Sequence, residues 1–179
     1  PWAAAASSQQ PDVLEGLGQP MQIALLLGAL SLLPALIMSV TPFLRITLVL
    51  HFLRQALGTQ TAPSNQALLG LALFLTFFTM APIFGSINDN ALQPYMRNQI
   101  TFEQAIDRGS TPLRNFMFAQ AREKDIALFV DLSHMSEPAT EADVPTYVLI
   151  PAFLISELRT AFTIGFLIFI PFLIIDMVI

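Results

Sequence analysis

Three apolar stretches separated by polar ones set the plan of this chain. Between residues 16 and 44 there is no charged side chain, and positions 21–38 are dense in Leu, Ile, Ala and Met. A second stretch, 67–84, is rich in Leu and Phe, and a third runs over 147–179. About 20 apolar residues in helical conformation cross roughly 30 Å of hydrocarbon, so each stretch is long enough to be read as a span. Gly28 and Pro34 interrupt the first, Pro82 lies near the end of the second, and Gly165 and Pro171 break the third. Membrane helices tolerate such residues where neighbours re-satisfy the freed backbone groups. The pattern predicts an all-α, polytopic helical membrane protein built of helical hairpins, with a small helical extracytoplasmic domain.

The polar stretches place the boundaries. Residues 1–20 are small, polar and proline-punctuated and read as a lead-in. Residues 21–84 read as the first hairpin, whose tip holds Arg45, a short apolar run, Arg54 and the turn-forming sequence GTQTAPSNQ. That tip carries bases and no acid, and the positive-inside rule turns it to the cytoplasm. Residues 85–146 then face the other side, where acids outnumber the five bases Arg97, Arg108, Arg114, Arg122 and Lys124. Thr101 and Gln104 match a capping box and predict a short helix ending at Gly109. Thr111 as cap with Pro112 behind it predicts a longer helix to about Leu132, with Leu113, Phe116, Met117, Leu128, Phe129 and Leu132 as its apolar contacts. The polar run Arg122-Glu-Lys-Asp125 reads as a solvated face, and His134 to Thr146 as a loop. Residues 147–179 form the third, interrupted element.

That element sets the central problem. Ser156, Glu157, Arg159 and Thr160 stand inside it, and Asp176 lies further along. With a helix starting near Tyr147, Glu157 lies about 15 Å in, roughly half the hydrocarbon thickness. An ion facing lipid there costs about 2.5–3.5 kcal/mol on insertion scales. Glu157 and Arg159 are two positions apart, on nearly opposite sides of a helix, and do not neutralise each other. Each needs a partner from another helix, another chain or water. Two readings of Ser156, Glu157, Arg159 and Asp176 stay open: contacts between subunits that fix packing, or groups lining a pathway. Arg45 and Arg54 read as topology determinants or partner contacts, and the phenylalanines of the second stretch as packing residues.

Composition narrows the classes. With 54% hydrophobic and 12% charged residues the chain departs from soluble domains, which carry about 25% charge. A net charge of −5 speaks against a nucleic-acid surface. Absence of cysteine removes disulfides and thiolate chemistry. No nucleotide, metalloprotease or hydrolase motif occurs, and His51 and His134 stand far apart, so neither an enzyme nor a metal or cofactor site is expected. The chain starts at Pro1 in small-residue sequence, as after a cleaved signal peptide or a trimmed start. It stops at Ile179 inside an apolar run, and a further hydrophobic element is expected beyond it.

Three blocks carry a resemblance: TPFLRITLVLHFLRQALGTQTAPSNQALLGLALFLTFFTMAPIF, QPYMRNQITFEQAIDRGSTPLRNFMFAQAREKDIALF and PAFLISELRTAFTIGFLIFIPFLIID. Together they resemble the export-gate family of type III secretion systems, in its flagellar branch. The resemblance implies a multi-pass protein of the bacterial inner membrane within the flagellar basal body. It implies a homo-oligomer that joins FliQ and FliR to form the gate for unfolded flagellar subunits, with FlhA and FlhB in the same apparatus and FliO assisting assembly. Thr163 stands where the family's pattern has a longer polar side chain, and the methionine-rich element that seals the family's pore lies beyond Ile179. Two other readings stay open: a scaffold that nucleates the basal body without lining the pore, and an ion-driven carrier with Glu157 and Asp176 as proton sites.

Overall fold

The computed structural model describes residues 18–59, 62–136 and 138–178, so most of the lead-in lies outside the described residues. Helix α1, Gln19–Ser39, belongs largely to a first unit that ends at Ile37. It runs through Gly28 and Pro34 without a break, and Ser31 donates its hydroxyl hydrogen to the Gly28 carbonyl at 2.7 Å. The second unit, from Met38 onward, holds helices α2 (Phe43–Ala56), α3 (Asn65–Ile87), α4 (Gln93–Met96), α5 (Phe102–Gln120), α6 (Glu123–Leu132) and α7 (Thr146–Val178). A π-helical turn, Asn88–Leu92, joins α3 to α4, and a 3-10 turn, Glu141–Asp143, precedes α7. No strand occurs among the described residues. Among the described residues, three helical stretches are long and apolar enough to cross a membrane: Gln19–Ser39, Asn65–Met96 and Thr146–Val178.

Local chemistry explains the ends. Gly58 closes α2 at φ +69°, a left-handed value that favours glycine, and its N–H reaches the Gln55 carbonyl. Ser64 caps α3 by accepting from the Ala67 N–H at 3.3 Å. Thr101 and Gln104 make the expected capping box at the start of α5.

Other expectations change. Gly109 does not end a helix and Thr111 with Pro112 does not open one; α5 is continuous to Gln120 and the chain turns instead at Ala121 and Arg122, both extended. The reason lies at Thr111, whose hydroxyl bonds back to the Asp107 carbonyl at 3.0 Å instead of forward as a cap. Likewise Gly165 and Pro171 lie within one unbroken helix, so the third element is not interrupted. Leu128 and Leu132, expected as contacts, are exposed. Finally, Arg45 and Arg54 do not share a hairpin tip. Because α2 starts at Phe43, Arg45 sits on its first turn while Arg54 lies at the turn into α3, nine residues or about 13 Å away.

Helix α7 is the post on which unit 2 is built. Its first third packs on α5 and α6 around a core of Met117, Val130, Val144, Val148, Leu149 and Phe153. Arg114 of α5 fastens the start, donating to Thr146 Oγ1 at 2.6 Å and to the Val144 carbonyl at 2.7 Å. Its middle packs along α2. Arg45 meets Glu157 and Phe52 meets Phe162 and Gly165, so the two helices run parallel. The α2 ring lies so close that a Cβ on Gly165 would stand 2.8 Å from Phe52 Cγ, a spacing real side chains do not show. Replacing Gly165 with alanine is therefore expected to cost about 1–3 kcal/mol by overpacking. Thermal unfolding in detergent checks this, with F52A/G165A recovering part of the loss. An unchanged melting temperature in G165A would mean that α2 is not seated there.

Candidate functional site

The junction between the two contact zones of α7 is polar. Helix geometry builds it. Ser156 and Arg159, three residues apart, lie on the side facing α6, whereas Glu157 turns toward α2. All three partners come from the same chain, so the need for another helix is met internally.

On the α6 side the key group is Asp125. It occupies the third position of α6, where a capping box has its acid, and the residue before the helix is Arg122, whose side chain makes no cap. Ser156 stands between them. Its Oγ accepts from the Arg122 N–H at 2.9 Å and donates to Asp125 Oδ2 at 2.7 Å. The box that α6 lacks is thus completed by a hydroxyl from α7. Asp125 Oδ1 lies 3.2 Å from Arg159 Nη2. Asp125 and Ser156 are buried, whereas Arg159 keeps about half its side chain, 53%, exposed.

Toward α2, Arg45 Nη1 lies 3.3 Å from Glu157 Oε1 and also donates to Gln120 Oε1 at 3.1 Å. Gln120 is the last residue of α5, so one guanidinium ties α2, α5 and α7 together. Glu157 is 1% exposed, yet among the described residues neither of its oxygens accepts a hydrogen bond of good geometry; the link to Arg45 is an ion pair only. Two acids and two bases therefore cancel at the junction, which is how a long apolar helix carries ions at its middle.

Of the residues singled out from the sequence, the structure brings together Ser156, Glu157, Arg159 and Arg45. Asp176 is exposed near the far end of α7, 17 residues or about 25 Å beyond Arg159, and takes no part. Arg54 belongs to the α2–α3 turn, donating to Asn65 Oδ1 at 2.7 Å and to the Pro63 carbonyl. Sequence reasoning missed Asp125 and Gln120. Asp125 is a correction: it is buried, not part of a solvated face, because α6 turns it under Ser156. The signal was present, since Asp125 lies one turn before Phe129, which packs on the core, and three residues after the helix's cap. No group of His, Asp or Glu that could hold a metal occurs among the described residues.

Fold and junction together define a class: a polytopic helical membrane protein whose longest helix carries a buried, charge-balanced knot. Residues 26–179 match the model of the FliP family. The flagellar biosynthetic protein FliP of Bacillus subtilis (strain 168) is 48% identical over 173 residues, 97% of this chain and 77% of the relative. Its counterpart in Pectobacterium carotovorum subsp. carotovorum is 53% identical over 159 residues, 89% of this chain and 62% of the relative. That of Cereibacter sphaeroides is 48% identical over 159 residues, 89% and 53% respectively. The chain spans between 53% and 77% of the length of these three relatives. This chain belongs to the FliP family.

Proposed function

We propose that the chain is a pore-forming subunit of the flagellar type III export gate, seated in the bacterial inner membrane within the basal body and passing unfolded flagellar subunits outward. Its partners in this reading are further copies of itself, FliQ and FliR in the gate, FlhA and FlhB in the apparatus, and FliO during assembly. Family membership supports the flagellar export context, and three helices of spanning length support the membrane. The observation that carries the assembled state is the bare aromatic surface of the long helices. Glu157 is enclosed within the chain and paired with Arg45, so neighbouring copies meet through apolar surface and not through its carboxylate. Exposed rings on α3 and α7, Phe74, Phe77, Phe78, Phe162 and Phe166, give such neighbours apolar surface to pack on. In this reading Ser156, Glu157 and Arg159 serve the assembly, Asp176 belongs to a separate end of α7, and Arg54 marks the cytoplasmic turn.

The scaffold reading draws on one observation of its own, the bridge from Arg45 to both Glu157 and Gln120, which is packing within a chain. Replacing Glu157 with alanine in cells that depend on this protein separates the two. The gate reading expects the chain to stay in the membrane, the assembled complex to persist in part, and secretion of flagellar subunits to fall several-fold more than the complex does. If secretion instead tracks the amount of complex one for one, the residue only packs. Intact secretion in cells lacking the chain altogether would sink the gate reading.

A further inference from the structure

A second polar place lies apart from the junction, in the angle between the end of α3 and the middle of α5. It is a cleft of about 720 Å³, within the range of roughly 300–1,000 Å³ usual for ligand pockets. Gly109 seats α5 against it: an added Cβ would lie 3.5 Å from Ala91 Cβ and 3.7 Å from Ile87 Cγ2. The π-helical turn Asn88–Leu92 supplies Asp89 and Asn90 to one wall, and α5 supplies Arg108 and Asn115 to the other. Single π-helical turns of this kind frequently mark functional sites.

The cleft holds one cation and one anion that do not meet. Among the described residues Arg108 makes neither a hydrogen bond nor an ion pair, so the five donors of its guanidinium are free. Asp89 Oδ1 accepts from Asn88 Nδ2 at 3.1 Å, and no base among the described residues lies within ion-pair distance of it. Ser86 Oγ accepts from Asn90 Nδ2 at 3.1 Å, which leaves the serine hydrogen to donate. The Asn115 amide has no partner among the described residues. A simple anion here would face Asp89, and a simple cation would face Arg108. The set fits a ligand that carries both signs.

The level of the cleft narrows the source. Ser64 caps α3 at one end, and Ser86 lies 22 residues or about 33 Å further on, just past roughly 30 Å of hydrocarbon. Phe78, Leu75 and Leu71 follow Pro82 back along the same side of α3 at steps of three and four residues, and Phe78 is 71% exposed. An apolar track therefore leads from the cleft into the span.

We propose that the cleft binds the headgroup of a zwitterionic phospholipid, its phosphate on Arg108, Ser86 and Asn115, its ammonium on Asp89, and an acyl chain along Phe78 and Leu75. A primary ammonium fits better than a trimethylammonium, because only the former donates hydrogen bonds to the carboxylate. The inference goes beyond the gate reading and takes from it only the membrane.

The test uses the full chain extracted from membranes in mild detergent, stripped of lipid and mixed with short-chain phospholipids of one acyl length. Ethanolamine, choline and glycerol headgroups are compared, with free phosphoethanolamine as the soluble source. Bound lipid is read by native mass spectrometry and by equilibrium titration. The ethanolamine lipid is expected to bind about tenfold tighter than the other two, the scale of one charge-assisted hydrogen bond. Free phosphoethanolamine should bind at least about tenfold more weakly, for want of an acyl chain. Arg108→Gln should weaken all three lipids about tenfold. Asp89→Asn should erase the preference for ethanolamine, and Arg97→Gln, outside the cleft, should change neither. Equal binding of the three headgroups, an R108Q variant that binds as the parent does, or free phosphoethanolamine binding as tightly as the lipid would each overturn the proposal. If R108Q does not accumulate, D89N decides alone through the headgroup preference. A chain recovered outside the membrane fraction sinks both this inference and the seating of the gate reading. A membrane-bound chain without headgroup preference removes this inference and leaves the gate reading standing.

Discussion

Replacing Phe153 with alanine is expected to cost the chain about 3–5 kcal/mol, the largest loss from any single apolar side chain in unit 2. Phe153 is fully buried, its ring lies edge-on to Phe116 at 5.9 Å, and it belongs to the core that seats α7 on α5 and α6. Removing it leaves a cavity where three helices meet. The ionic junction lies just one turn further along α7, at Ser156, Glu157 and Arg159, so loosening here reaches the polar bonds as well. Phe153→Leu, which keeps most of the volume, should cost markedly less. Unfolding in mixed micelles monitors the loss, and hydrogen exchange at the first turn of α6 should rise in parallel. A small loss in F153A with α6 still protected would mean that this core is not what holds α7 to α6.

Much of this architecture was readable from residue order. Apolar run length alone marked the three helices among the described residues that are long enough to span a membrane, because a helix in hydrocarbon must satisfy its backbone within itself. Thr101 and Gln104 marked the start of α5, since their bonds are local. The placement of Ser156, Glu157 and Arg159 inside apolar sequence marked the site, because ions there demand partners. What could not be read was the identity of those partners. Asp125 lies 31 residues from Ser156 in sequence, and Gln120 lies 75 from Arg45. Such pairings depend on how helices pack, and local patterns carry no record of that. Asp125 looked solvated because its neighbours Glu123 and Lys124 are, and a charge run gives no sign of which member turns inward. Helix breaks failed for a related reason. Gly165 and Pro171 weaken a helix in water, but inside a packed apolar helix the glycine is where Phe52 fits, and α7 continues.

Asp125 also gives the sharpest energetic test of the junction. Asp125→Ala removes the anion that faces Arg159 and the acceptor for the Ser156 hydroxyl, and it deprives α6 of the acid in its borrowed cap. Breaking a buried pair from one side costs about 3–5 kcal/mol, mostly from groups left behind without partners. Arg159 is half exposed and recovers some solvation, so the loss should fall toward the lower end of that range. The companion experiment replaces the set together, as S156A/D125L/R159M. If the junction's value were stability, the triple variant would be at least as weak as D125A. The expectation is the reverse: with the three polar side chains gone and apolar volume in place, unfolding in micelles should recover most of the D125A loss, falling short of the parent by about 1 kcal/mol for the Arg122 N–H left without its Ser156 acceptor. Assembly and secretion should nevertheless stay low on the gate reading, in which Ser156 and Arg159 serve the assembly. A triple variant that is stable and also secretes normally would show that these ions serve neither the fold nor the export step. One that remains as unstable as D125A would show that they are retained for the fold itself.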